Sequence, residues 1–277
     1  MNKNSINLKQ DPEFTIKVIS EFIAGEVEKY NFNGGIIALS GGLDSSFVSI
    51  ISHQALNGNI KLLFIPYGEN TEAVRDTSNI ASILNTPLEV INIKKIADII
   101  FEERNIDSNT RKGNILARLR MNLLFDTSFR DNALVIGTSN KSELLIGYST
   151  WYGDSAAGIM PIGDLYKTQI RNLSKYLNIP ENIINKPPSA ELWENQTDEG
   201  EIGISYEELD KILYLYVDKR YNENEIIKIG FDEALVKKVI NKTKKALFKL
   251  KTPPICKVSD RTIGVDYRYN KETIIDI

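Results

Sequence analysis

Gly35-Ile36-Ile37-Ala38-Leu39-Ser40-Gly41-Gly42-Leu43-Asp44-Ser45 is the stretch that decides the fold of this chain. Its first five residues form a short β-rich run, two adjacent glycines follow, and Ser45-Ser46 opens an apolar segment. The order reads as strand, tight loop, helix start. Such a loop aims backbone N–H groups and the positive end of a helix at one point, and phosphate is the usual occupant. The glycines let the backbone approach an anion, while Ser40, Ser45 and Ser46 add hydroxyl donors. Asp44 stands out, because a carboxylate inside a phosphate cradle is repulsive. It makes sense where a divalent cation sits between carboxylate and phosphates. A plain glycine turn joining a strand to a helix is the other reading of these residues.

Outward from this loop, strands and helices alternate. Strands are expected at residues 35–39, 61–66, 88–93 and 133–137, with helices at 45–56, 71–84, 96–103 and 114–129. Asp11-Pro12-Glu13 starts an earlier helix, running to about residue 30, with an acceptor at the cap and proline in the first turn. The alternation predicts an α/β fold: a doubly wound parallel sheet flanked by helices, with a helical C-terminal part. Ligands of such sheets gather at the carboxyl ends of the strands. The phosphate loop follows the first strand and Gly137-Thr138 the fourth, so both should face one crevice.

Beyond Gly147 the pattern changes. Residues 147–163 are rich in Gly, Ser and Ala with three aromatics and read as a structured loop, and residues 165–177 read as helix. Residues 186–203 are polar, carry two prolines and show little periodicity, which predicts a mobile lid. Ser205-Tyr206-Glu207-Glu208 offers a capping-box start with Glu208 as the box acid, and helices follow to about residue 250. The length of 277 residues predicts one domain over 1–277, with a tail at 257–277 that fits no element.

Composition excludes several classes. A net charge of −3, from 34 basic and 37 acidic residues, gives no electrostatic footprint for nucleic acid. The single cysteine, Cys256, excludes an internal disulfide and any CxxC centre, and reads as a small apolar filler rather than a nucleophile. The single histidine, His53, belongs to the helix after the phosphate loop and cannot form a histidine cluster. The N-terminus lacks a signal-type apolar region, and no apolar run approaches the roughly 18 residues that span a bilayer, so the cytoplasm is the expected compartment.

Neither a Walker loop nor a Gly-x-Gly-x-x-Gly fingerprint is present. Ser40 to Ser45 instead resembles the PP-loop of the N-type ATP pyrophosphatases, which split ATP between its α and β phosphates. A second set of motifs narrows the resemblance to the NAD synthetases. Gly137-Thr138 to Glu143 follows a strand; then come Tyr152-Gly153-Asp154 and Pro161-Ile162-Gly163-Asp164-Leu165-Tyr166-Lys167. Lys186-Pro187-Pro188-Ser189-Ala190-Glu191-Leu192 and Asp198-Glu199 to Gly203-Ile204-Ser205-Tyr206 look like that family's mobile second loop. The motifs keep order and spacing from about Gly35 to Pro254.

The resemblance implies an adenine nucleotide α-hydrolase-like fold and an ammonia-dependent synthesis of NAD. Deamido-NAD is activated by ATP as an adenylate, pyrophosphate leaves, and ammonia displaces AMP. It also implies roles for individual residues. Asp44 and Glu143 would hold Mg²⁺. Ala38, Leu39, Ser40, Gly41, Gly42, Leu43, Asp44 and Ser45, with Thr138, Lys167 and Ser189, would bind ATP. Arg118, Trp151, Asp154, Gly158 and Lys249 would face deamido-NAD, with Asp154 placed to receive a proton from ammonia. Arg118 is preferred over Arg120, which sits two residues along the same helix and points elsewhere. Trp193 is either a plug that closes over substrate or merely exposed. A homodimer with the acceptor site at the subunit interface is also implied.

Departures from the family pattern lie on the acceptor side. Trp151 stands where many members carry lysine, Gly158 where many carry aspartate, and Phe248-Lys249 where a His-Lys pair is common. Two further readings therefore stay open: an amidating PP-loop ligase with another carboxylate acceptor, and a nucleotide-binding relative that no longer catalyses. The chain carries no glutaminase-type Glu-Lys-Cys set, which leaves free ammonia as nitrogen donor.

Overall fold

The computed structural model describes residues 2–189, 193 and 196–263. Helix α1 (Pro12–Lys29) starts as read, with the Asp11 carboxylate accepting from the Phe14 N–H and Pro12 in the first turn. Then follow β1 (Gly34–Ala38), α2 (Leu43–Ala55), β2 (Ile60–Phe64), α3 (Thr71–Ile83), β3 (Leu88–Val90), α4 (Lys94–Glu103), α5 (Asn109–Asp131) and β4 (Ala133–Val135). The helical part comprises α6 (Lys141–Ile146), α7 (Lys167–Tyr176), α8 (Glu181–Ile184), α9 (Asp198–Ile202), α10 (Tyr206–Leu213), α11 (Glu223–Lys228) and α12 (Glu233–Ala246).

The four strands are parallel, in the order β3-β2-β1-β4. In register, Ile36 of β1 lies between Lys61 of β2 and Val135 of β4. Both faces are covered. Ile37 and Leu62 pack with Ile23 of α1 and Phe47 and Ile51 of α2, whereas Ile36 and Leu63 pack with Phe101 of α4 and Leu116 and Leu124 of α5. This double burial explains why β1 is an unbroken apolar run rather than an alternating one. The chain leaves β1 toward β2 on one side and reaches β4 on the other. The switch between β1 and β4 therefore opens a crevice at their carboxyl ends. A third apolar cluster, with Leu209, Ile212 and Leu213 of α10 and Val236 and Val239 of α12 at its centre, builds the helical part.

Three local expectations change. The capping box at Ser205 does not form: the Tyr206 N–H donates to Glu199 Oε1 at 2.9 Å, and Glu208 is paired with Lys3 instead. The stretch expected as a lid is helical over 198–202, where Asp198 and Ile202 are buried; residues 190–192 and 194–195 lie outside the described residues. Cys256 is exposed rather than a core filler, because residues 251–261 run along the surface. Most of the 257–277 tail lies outside the described residues. Among those described, no helix is long and apolar enough to cross a membrane.

Candidate active site

The PP-loop turns on Gly41. Its φ of +86° is a left-handed conformation, and a Cβ there would meet the Asp76 side chain at 3.3 Å. The loop is tied by its own hydroxyls. Ser45 Oγ accepts from the Ser40 N–H at 3.2 Å, the Ser40 and Ser45 hydroxyls lie 3.0 Å apart, and Ser46 Oγ donates to Gly42 O at 2.8 Å. No side chain caps α2, so the N–H groups of its first turn remain open at its positive end.

A cleft of about 500 Å³ lies over this loop, a size suited to one nucleotide. Ala38, Ser40, Gly42, Leu43, Asp44 and Ser45 line it together with Thr138, Glu143, Lys167 and Ser189. Leu39 and Gly41 do not line it: Leu39 is buried in the core and hydrogen-bonded to β2, its N–H donating to Leu63 O at 2.8 Å.

Lys167 is the hub. It begins α7 and is buried; its Nζ lies 2.5 Å from Asp44 Oδ2 and 3.9 Å from Glu143 Oε1. Asn140, the cap of α6, donates from Nδ2 to Asp44 at 3.2 Å and accepts from the Glu143 N–H at 3.0 Å. A third carboxylate, Asp198, accepts from Tyr206 OH at 3.3 Å. Burial opposes the charge on Lys167, but Asp44 and Glu143 outweigh it and hold the ammonium pKa above its ordinary value. Burial, then the Asp44 charge, pushes the Glu143 carboxyl pKa well upward, with Lys167 pulling back. Burial likewise raises Asp198, again opposed by Lys167. Three carboxylates thus share one lysine.

This cluster fits a magnesium ion bound together with phosphates. Asp44 Oδ1 and Asp198 Oδ1 are buried without a hydrogen-bond partner, an arrangement that is costly unless a cation arrives. Among the described residues no trio of His, Cys, Asp or Glu is gathered closely enough to hold a metal alone. Mg²⁺ keeps waters and takes one or two carboxylates plus substrate phosphates, and Asp44 and Glu143 offer two carboxylates beside Lys167.

Of the other expected residues, Asp154 and Lys249 line the cleft, whereas Arg118, Trp151 and Gly158 do not. Asp154 opens onto the cleft, accepts from the Thr150 N–H at 2.7 Å, and has its carboxyl pKa raised by the surrounding protein. Lys249 also lines the cleft; its Nζ donates to Gly147 O at 2.7 Å and Ser149 O at 2.6 Å, and burial lowers its pKa against the pull of Asp154. Arg118 does not line the cleft. Its guanidinium donates twice to Trp151 O, at 3.3 and 3.2 Å. Trp151 stacks on Tyr152, ring centres 4.6 Å apart, with Phe248 edge-on at 5.4 Å. Gly158 has a structural reason to be glycine, since a Cβ there would meet Leu134 Cδ1 at 2.5 Å and Val135 O at 3.1 Å. Trp193 lines the cleft rather than merely facing solvent.

Asn140, Asp198 and Arg120 belong to the site, although no role was expected of the first two and Arg118 was preferred to the third. Arg120, not Arg118, lines the cleft, with Nε donating to Ile65 O at 2.9 Å beyond β2. Asp198 stood inside a quoted motif, but only the fold brings it to Lys167. Asn140 carried a legible signal, as an asparagine three residues before a glutamate ahead of an apolar pair.

Residues 15–253 match the family model described as NAD synthase. The chain is 40% identical over 268 residues to an NH(3)-dependent NAD(+) synthetase of Chlorobaculum tepidum, covering 96% of this chain and 97% of that relative. It is 38% identical over 260 residues to one of Fusobacterium nucleatum, covering 93% and 99%. Among solved structures, the NH3-dependent NAD synthetase of Campylobacter jejuni in complex with nitrate superposes with a TM-score of 0.77 at 34% identity, covering 90% of this chain and all of that one. The NMN synthetase of Francisella tularensis gives 0.79 at 29% identity, covering 90% and 99%.

Proposed function

The chain belongs to the NAD synthase family, and from that membership we propose how its cleft works. It is an ATP-using ligase that amidates deamido-NAD with free ammonia, on the adenine nucleotide α-hydrolase fold. A carboxylate is a poor acyl donor, so it must first be activated. The nicotinate carboxylate attacks the α-phosphorus of ATP, the bond to the β-phosphate oxygen breaks, and pyrophosphate leaves. Ammonia then attacks the acyl carbon of the adenylate, sheds a proton, and the carbon–oxygen bond to AMP breaks. Both steps move negative charge onto phosphate oxygens, so positioned cations and donors dominate catalysis.

The observation that carries this reading is the cluster of Asp44, Glu143 and Lys167 beside the loop, with Asp44 Oδ1 unsatisfied. Asp44 and Glu143 would hold Mg²⁺, whose chemistry when bound is to neutralise charge on the phosphates. Ser40, Gly42, Leu43, Asp44 and Ser45 cradle the pyrophosphate with N–H groups and hydroxyls, with Gly41 turning the loop; Ala38 lines the cleft beside them, and Leu39 stays in the core. Thr138, Lys167 and Ser189, which line the same cleft, bind the nucleotide. Asp154, which lines the cleft, is placed to accept the proton that ammonia sheds. Lys249, Arg118 and Trp151 take the acceptor, and Gly158 only makes room.

Arg118 and Trp151 lie outside the cleft walls, and Phe129 of α5 is 93% exposed. Both features support a homodimer in which the acceptor extends across the interface. The reading places the protein in the cytoplasm, with neither membrane nor nucleic acid as partner. Formation of NAD from deamido-NAD, ATP, Mg²⁺ and ammonium tests it.

A second reading keeps the chemistry and changes the acceptor. The likeness to an NMN synthetase and the departures at Trp151 and Phe248 favour it. It predicts faster turnover with nicotinate mononucleotide than with deamido-NAD.

A further inference from the structure

Asp210, in the middle of α10, is fully buried, and no motif draws attention to it. Its Oδ1 accepts from Ser142 Oγ at 2.5 Å, and its Oδ2 accepts from the Thr168 N–H at 2.9 Å and from Thr168 Oγ1 at 2.8 Å. Ser142 Oγ in turn accepts from the Lys167 N–H at 3.0 Å. One carboxylate therefore joins the first turns of two helices. Ser142 precedes Glu143 on α6, and Thr168 follows Lys167 on α7.

A second tie repeats the pattern one residue upstream. Residues Tyr214–Asp218 form a π-helical turn directly after α10, a feature that often marks a functional constraint. It presents Asp218 to Lys141 Nζ at 2.8 Å and Tyr166 OH at 2.7 Å. Asp210 thus holds residues 142, 167 and 168, and Asp218 holds 141 and 166. Core packing alone does not require a buried carboxylate there, because apolar residues of equal volume pack as well.

We propose that α10 and its π-turn are a brace that sets the separation of Glu143 and Lys167, and that Asp210 is a positioning residue of the reaction. The proposal rests on the ATP-cleaving reading of the cleft. Displacement of a charged pair by a fraction of an ångström weakens the transition state more than nucleotide binding, which is shared over many contacts. Asparagine at 210 preserves the shape: its oxygen accepts from Thr168 and its amide donates to Ser142 Oγ.

The test compares Asp210→Ala, Ser142→Ala and Asp210→Asn with the parent in pyrophosphate release at saturating deamido-NAD and ammonium. Calorimetric titration with ATP gives the fraction of competent sites. Per competent site, kcat should fall at least about tenfold in Asp210→Ala and about threefold or more in Ser142→Ala. The KM for ATP should stay within about threefold, and the Mg²⁺ concentration at half-maximal rate should rise. Asp210→Asn should return kcat to within about threefold of the parent. Unchanged kcat per competent site in Ser142→Ala, or Asp210→Asn as slow as Asp210→Ala, overturns the brace. If Asp210→Ala does not fold, Ser142→Ala alone decides. A parent that binds ATP but releases no pyrophosphate sinks the functional reading; an active parent with indifferent variants sinks only the brace.

Discussion

Asp44 and Glu143 each sit in the first turn of a helix, where the positive end partly offsets a carboxylate's charge, and both depend on Lys167 for compensation. Asp44→Asn and Glu143→Gln should each fold, and each should lose pyrophosphate release by about 10²-fold or more, because charge stabilisation of several kcal/mol disappears. Near-parental rates at saturating Mg²⁺ in both would refute the metal role. Gly158 makes the opposite kind of point. Gly158→Asp would introduce the residue that the family resemblance implies at this place, but its Cβ would press on Leu134 and the Val135 carbonyl. We expect a loss of about 1–3 kcal/mol in urea unfolding and no gain in turnover. Asp210 has its carboxyl pKa pushed up to about 6 by burial. A carboxyl raised on folding stabilises the fold below its unfolded value, and that contribution is lost as pH rises through about 6. Relative to Asp210→Asn, the parent should therefore lose about 2 kcal/mol between pH 4 and pH 7, read by unfolding at each pH. A pH-independent difference would contradict this.

At the scale of elements, much was legible because each signal was local. The apolar runs at 35–39 and 133–137 became strands at Gly34–Ala38 and Ala133–Val135. Asp11-Pro12 capped its helix as written. What failed to read was decided by distant partners. Glu208 is claimed by Lys3, some two hundred residues away, so the box at Ser205 stays open and Glu199 caps the helix instead. The lid stretch lacks periodicity, yet α9 forms because Ile202 inserts beside Tyr206 and Leu209. The site followed the same rule. Asp44, Glu143 and Lys167 stood in recognisable motifs, whereas Asp198 and Asp210 acquire meaning only when α9 and α10 dock. Ile202→Ala should cost about 2–4 kcal/mol, as for a buried aliphatic truncated to a cavity. It should also lower turnover by loosening Asp198. Unchanged unfolding would mean that α9 is not anchored by that side chain.

Over the whole molecule, a parallel sheet brings the phosphate loop and the helix carrying Glu143 to one end, and the helical part supplies Lys167 and the carboxylates around it. Arg118 and Trp151 lie outside the cleft, and we propose that a second subunit completes the acceptor site. Sedimentation should report twice the 31.3 kDa chain mass, and a monomer retaining full activity would contradict the shared site. The central claim is that this cleft couples cleavage of ATP between its α and β phosphates to amidation of deamido-NAD. The most direct measurement is the product balance with deamido-NAD, ATP, Mg²⁺ and ammonium. The account predicts one AMP and one pyrophosphate for each NAD formed, and none of the three without ammonium beyond a single turnover. Release of ADP and phosphate, or pyrophosphate formed steadily without NAD, would contradict it.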